Sequence, residues 1–161
     1  MDTSGTTTSD TATIEHLAST LPALSDLVDR LWHQQLNLPT SSGESIGAEL
    51  DRLMVLGATY TYWFRGEDAP VLTAPVTYGW VPAAEFREVM DELLAAVSAP
   101  GALDGKLQTP AGPVAADEFA RLLAAGAVVH GRQLAAAMGR RFEADPAALT
   151  VLDPFAAAYA A

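Results

Sequence analysis

The chain has 161 residues, half of them apolar and 18% charged, which is a globular composition large enough for one domain and too small for two. Its net charge of −11, from 9 basic and 20 acidic residues, excludes nucleic acid as a partner and disfavours anionic lipid, because both need basic patches. No cysteine is present, so disulfides, thiolate metal sites and a cysteine nucleophile are excluded.

Residues 1–13 are rich in Thr, Ser and Asp and read as a flexible tail, with one helical domain over 14–161. Ile14, Leu17, Leu21, Leu24, Leu27, Val28 and Leu31 keep helical spacing to about Trp32, and Pro22 is expected to kink or restart that first helix. A polar turn over 37–43 precedes a second helix, about Ser45 to Arg65, with Ile46, Leu50, Leu53, Gly57, Tyr60 and Phe64 on one side. Residues 66–81 read as an extended loop in which 71–81 has some strand character. Pro82 suits the start of a third helix that buries Phe86, Val89, Met90, Leu93, Leu94 and Val97. Pro100 to Pro113 reads as a second irregular crossing. A fourth helix opens at Pro113, with Asp117 and Glu118 near its positive end, and stops at Gly139. Asp145-Pro146 caps a short fifth helix to about Tyr159. The reading is all-α: an up-down four-helix bundle with long crossovers and a short C-terminal helix. No apolar run approaches the ~20 residues that span a bilayer, and no basic region precedes an apolar one at the N-terminus, so a cytoplasmic protein without membrane contact is expected.

The fourth helix carries a lone histidine, His130, on its apolar side, in phase with Phe119, Leu122, Leu123, Val129 and Leu134. An imidazole facing a core has to be hydrogen-bonded, metal-bound or chemically useful. Spacing shows no carboxylate on its own helix face. His16 and His33 fall at a helix start and in a loop and read as surface residues.

Two segments carry a family likeness. One is Thr-Pro-Ala-Gly-Pro-Val at 109–114, followed by Val-Val-His130-Gly-Arg-Gln-Leu-Ala-Ala-Ala-Met-Gly139. The other is Leu-Pro-Thr-Ser-Ser at 38–42, which runs into Glu-Leu-Asp-Arg-Leu53-Met-Val-Leu-Gly57 and Arg-Gly-Glu-Asp at 65–68. Together they resemble the DinB/YfiT-like superfamily over roughly 31–139, nearest to its mycothiol-dependent maleylpyruvate isomerase-like branch. The resemblance implies a helical bundle that holds a divalent metal through a histidine on the second helix and two ligands one turn apart on the last. In this chain those positions read Leu53, Gly126 and His130, and one imidazole does not hold zinc or nickel against water. The family's Trp-Asp after His-Gly is Arg132-Gln133 here. No metal and no cofactor is therefore expected.

Gly57 and Gly126 each cost about 1 kcal/mol relative to alanine inside a helix. They serve either close helix approach or a ligand space between helices. In Tyr60-Thr-Tyr62-Trp63-Phe64-Arg65 the four aromatics cannot all face one way. Some pack the end of the bundle, while Tyr60, one turn beyond Gly57, and Trp63 are candidates to line a cavity. Trp80 and Tyr78 either close such a cavity or anchor a loop. Arg132 and Gln133 contact a ligand oxygen or form a solvated flank. Asp51, Arg52, Asp91 and Glu92 read as outward charges.

The leading functional expectation is a metal-independent enzyme for isomerisation or cyclisation of an apolar or aromatic organic substrate. His130 would act as acid/base, with Tyr60 or Arg132 polarising an oxygen; Leu53, Gly57, Trp63, Gly126, Gln133 and Trp80 would contact the ligand. A non-catalytic small-molecule binding protein and a mycothiol-dependent transferase or isomerase, its thiol brought by the cosubstrate, are the alternatives.

Overall fold

A computed structural model describes residues 8–73 and 80–160. The described residues are mostly helical, with five α-helices and one two-stranded sheet among them: α1 (Thr8–Asp29), α2 (Ile46–Phe64), α3 (Ala83–Ser98), β1 (Lys106–Thr109), β2 (Gly112–Ala115), α4 (Ala116–Ala137) and α5 (Pro146–Ala160). Helix α1 packs against both α3 and α4, α2 packs mainly against α3, and α5 lies on α4. No helix among the described residues is long and apolar enough to cross a membrane.

Residues 8–13, expected to belong to a tail, are helical and part of α1. Asp10 and Thr13 are already buried, and Thr13 Oγ1 donates to the Ser9 carbonyl at 3.0 Å. Pro22 lies inside α1 without ending it, because Leu17, Leu21, Leu24, Leu27 and Val28 bury one stripe across it; tertiary packing outweighs one lost ladder bond. Ser45 caps α2, its Oγ accepting from the Ala48 N–H at 3.1 Å, and Pro82 precedes α3 as expected.

The second crossing is not irregular throughout. Lys106–Thr109 pairs antiparallel with Gly112–Ala115, with Thr109 opposite Gly112 and Gln108 opposite Pro113. Thr109 Oγ1 donates to the Gly112 carbonyl at 2.7 Å and accepts from the Ala111 N–H at 3.2 Å. Gly112 turns with φ of 108°, which favours glycine. Pro113 therefore sits in a strand, and α4 starts three residues later, at Ala116. Buried Leu107 anchors the hairpin. The strand character suggested for 71–81 is absent from 71–73 and from 80–81; the rest of that stretch, Tyr78 included, lies outside the described residues.

The buried face of α4 is almost entirely small: Ala120, Ala124, Ala127, Gly131 and Ala135. That lets neighbouring chain segments approach closely. A Cβ on Gly131 would lie 2.5 Å from the Phe142 ring, and one on Gly126 would lie 3.3 Å from Tyr159 Cζ. Helix α5 buries Ala148, Leu152 and Ala156, one turn apart, as its inner stripe. Its start is tied to α1 by the Asp145 N–H, which donates to Ser19 Oγ at 2.8 Å.

Candidate functional site

A cavity of about 170 Å³ lies between α1, α2, α3, α4 and the end of α5. Its walls are aliphatic and aromatic: Leu21, Leu24, Leu53, Leu56, Met90, Leu93, Phe119, Leu122 and Leu123 contribute most of the surface, with Gly57, Gly126 and Ala127. The polar side chains on the wall are Tyr60, His130 and Tyr159. Leu122 lines it and is 55% exposed, which marks the mouth.

His130 points inward, as its helical phase requires. Its Nδ1 lies 2.7 Å from Glu49 Oε1, and its Nε2 lies 3.5 Å from the Tyr159 hydroxyl. Glu49 is 1% exposed. It comes from the first turn of α2, one turn before Leu53 and two before Gly57, on the stripe that faces α4. Its other carboxylate oxygen pairs with the half-exposed Arg52, which also reaches Glu44 Oε2 at 3.5 Å. The buried carboxylate is thus flanked by Arg52 on the solvent side and His130 on the cavity side.

Burial pushes the Glu49 carboxyl up, but the hydrogen bond from His130 and the charges of His130 and Arg52 outweigh it, so its pKa lies below the ordinary carboxylate value. An ionised Glu49 accepts, so Nδ1 donates. The lone pair of the neutral ring then sits on Nε2, which faces the cavity. Tyr60 is raised above the ordinary phenol value by burial, with the charge of Tyr159 adding to it, so its hydroxyl stays a donor at neutral pH.

Several of the predicted site residues meet here. His130, Tyr60, Leu53, Gly57 and Gly126 all line the cavity. Gly57 also allows close helix approach, since a Cβ there would lie 2.9 Å from Val89 Cγ1. Gly126 leaves room for the Tyr159 ring, which stands edge-on to His130 at 6.0 Å between centroids.

Four expectations are corrected. Arg132 does not reach the cavity; its guanidinium pairs with Asp153 Oδ1 at 2.7 Å and clips α4 to α5 at the surface. Gln133, three residues beyond His130, is not among the residues that line the cavity. Trp63 packs on Tyr60 and Phe119, at 5.4 and 5.9 Å between ring centroids, and faces a separate shallow depression near Arg65 and Lys106. Trp80 lies at a bend before α3, 55% exposed and off the cavity wall.

Glu49 and Tyr159 are the residues that sequence reasoning missed. For Glu49 a signal existed: the series Glu49, Leu53, Gly57 places a carboxylate in phase with the inward stripe of α2. Arg52 is outward, as expected, yet it partners that carboxylate. Tyr159 had no local signal, because only the packing of α5 on α4 brings it to His130.

The donor set does not fit a resident zinc or nickel ion. The cavity wall presents one imidazole and two phenols, with Leu53 and Gly126 at the positions where the family resemblance implies ligands. No three His, Cys, Asp or Glu side chains converge among the described residues.

No protein-family model matches the chain, and no curated protein or solved structure matches it. The described residues form a mostly helical protein whose apolar cavity ends at a carboxylate-backed imidazole.

Proposed function

We propose that this chain is a small-molecule enzyme on a DinB-like four-helix bundle, catalysing a proton-transfer rearrangement, isomerisation or cyclisation, of an apolar organic substrate without a resident metal. The observation that carries the reading is the Glu49–His130 pair, 2.7 Å apart, with Nε2 of the ring turned into an apolar cavity. A structural histidine needs only a partner. This one has a buried anion that fixes its tautomer, and its basic nitrogen faces a space a ligand can enter.

In the proposed step Nε2 takes a proton from a carbon next to a carbonyl, and the C–H electron pair moves into the adjacent C–C bond. The carbonyl oxygen becomes an enolate oxygen. Where the deprotonated carbon also bears a C=C bond the product is a dienolate, and the imidazolium, held by Glu49, returns the proton at the far end of the C=C bond as the carbonyl reforms, which completes an isomerisation. Ring closure follows instead where the enolate carbon attacks a second carbonyl carbon of the same substrate: the C–C bond forms as that C=O π bond opens to an alkoxide, which takes the proton back from the His130 imidazolium. Apolar walls exclude water and strengthen each electrostatic contact.

The test is deuterium incorporation from D2O into phenylacetone, an uncharged one-ring carbon acid, followed by NMR. Wild type is expected to accelerate exchange over buffer. His130→Gln is expected to lose that acceleration at least 100-fold, in line with the roughly 10²–10⁴-fold contribution of general acid–base catalysis. Exchange untouched in a folded His130→Gln protein would overturn the mechanism. Tight binding without exchange in wild type would favour a non-catalytic binding protein instead.

A further inference from the structure

Two of the polar groups of this cavity stand together, and a third lines it. Tyr159 Oη stands 3.5 Å from His130 Nε2, Tyr60 lines the same wall, and everything else on the lining is aliphatic, aromatic carbon or glycine. Among the described residues no lysine or arginine lines it, and the charge directly behind the imidazole is the Glu49 carboxylate. An anionic ligand would therefore lose its hydration with no lysine or arginine to receive it, and any charge on His130 is already opposed by Glu49 at 2.7 Å, a combination that costs several kcal/mol. The volume, about 170 Å³, compares with an apolar cavity of about 150 Å³ that accepts benzene.

We propose that the ligand is an uncharged molecule of single-ring size carrying one ketone, enol or phenol oxygen, and that Tyr159 and Tyr60 bind that oxygen beside His130. This rests on the catalytic reading above for the role of His130, while adding Tyr159 as an oxygen-binding residue supplied by the C-terminal helix. The 3.5 Å contact is at the outer limit of a hydrogen bond, so the hydroxyl is readily given over to a ligand oxygen. Gly126 is part of the same device: a Cβ there would press on Tyr159 at 3.3 Å and move its hydroxyl. During proton abstraction the two phenol hydroxyls donate to the oxygen that gains charge; neither bond order nor charge changes on the tyrosines.

The experiment is equilibrium binding of phenol, benzene and benzoate to the full chain by NMR titration. Phenol is expected to bind about tenfold more tightly than benzene, the increment of one good hydrogen bond, and benzoate at least tenfold more weakly than phenol. Tyr159→Phe is expected to shrink the phenol-over-benzene preference while leaving benzene affinity unchanged, which also reports that the cavity is intact. Tyr60→Phe is expected to do the same in part. Benzoate binding as tightly as phenol, or a preference unmoved in both variants, would overturn the proposal. These outcomes are independent of the deuterium exchange: loss of exchange in His130→Gln alongside an unmoved phenol preference would leave the catalytic reading standing and end this one.

Discussion

Glu49 changes what His130 is. A lone imidazole on an apolar helix face needs some partner, and α2 supplies a carboxylate whose own burial is offset by Arg52 and His130. Because its pKa is lowered on folding, ionised Glu49 stabilises the fold fully above the ordinary glutamate value of about 4.3. That contribution is lost as the pH falls through the lower folded-state value. Glu49→Ala is expected to cost about 1–3 kcal/mol at neutral pH, the range for leaving a buried polar partner unsatisfied. The gap from wild type should narrow toward pH 3, as read by chemical denaturation at the two pH values. A pH-independent gap would mean that Glu49 acts through packing alone. His130 was legible as an inward residue because helical phase is a local property. Its carboxylate partner lies 81 positions away and belonged to a run that otherwise reads as an ordinary polar helix start.

At the level of elements, small residues decide which segments touch. Gly57 and Gly131 both lie inside helices, yet their surroundings differ. At Gly57 the flexible methyl end of Met90, 3.2 Å from a built Cβ, has to yield a few tenths of an ångström, and Val89 Cγ1, at 2.9 Å, has to shift. The gain of about 1 kcal/mol in helix propensity opposes that strain. At Gly131 a Cβ would meet three atoms of the buried Phe142 ring at 2.5 to 2.7 Å, so the whole ring has to shift. Gly131→Ala is therefore expected to lose about 1–3 kcal/mol, the range for overpacking, and Gly57→Ala less than half as much. Denaturation midpoints of the two variants check the order; equal losses would refute it. Element boundaries were legible where capping chemistry is local, as at Ser45, Pro82 and Gly139. The hairpin over 106–115 was not, because Pro113 reads equally as the first residue of a helix and as a strand residue whose missing N–H leaves no donor unpaired. Pairing with Gln108 decides between them.

Over the whole molecule, 20 acidic residues face only 9 basic ones. Several of the basic residues are committed to local pairs: Arg87 bridges Asp26 and Asp29 at 2.6 and 2.5 Å, and Arg52 and Arg132 hold carboxylates of their own. The remaining negative charge repels itself. Raising salt from about 0.01 to 0.3 M cuts the screening length severalfold, so the thermal midpoint is expected to rise. A fall would show that the surface ion pairs outweigh the net repulsion. Charge and composition are sums over the chain, which is why they were readable without a fold.

What the residues determined by themselves was whatever depends on near neighbours or on totals: the helices of 3.6 period, their caps, the inward phase of His130, Leu53 and Tyr60, and the acidic balance. Tertiary structure decided everything that joins distant segments. It set Glu49 of α2 and Tyr159 of α5 against the two nitrogens of one ring, sent Arg132 to the surface, and left a cavity between helices whose small and large side chains do not fill it. Periodicity states which way a side chain points along its own axis; only the packing of one axis on another states what it meets.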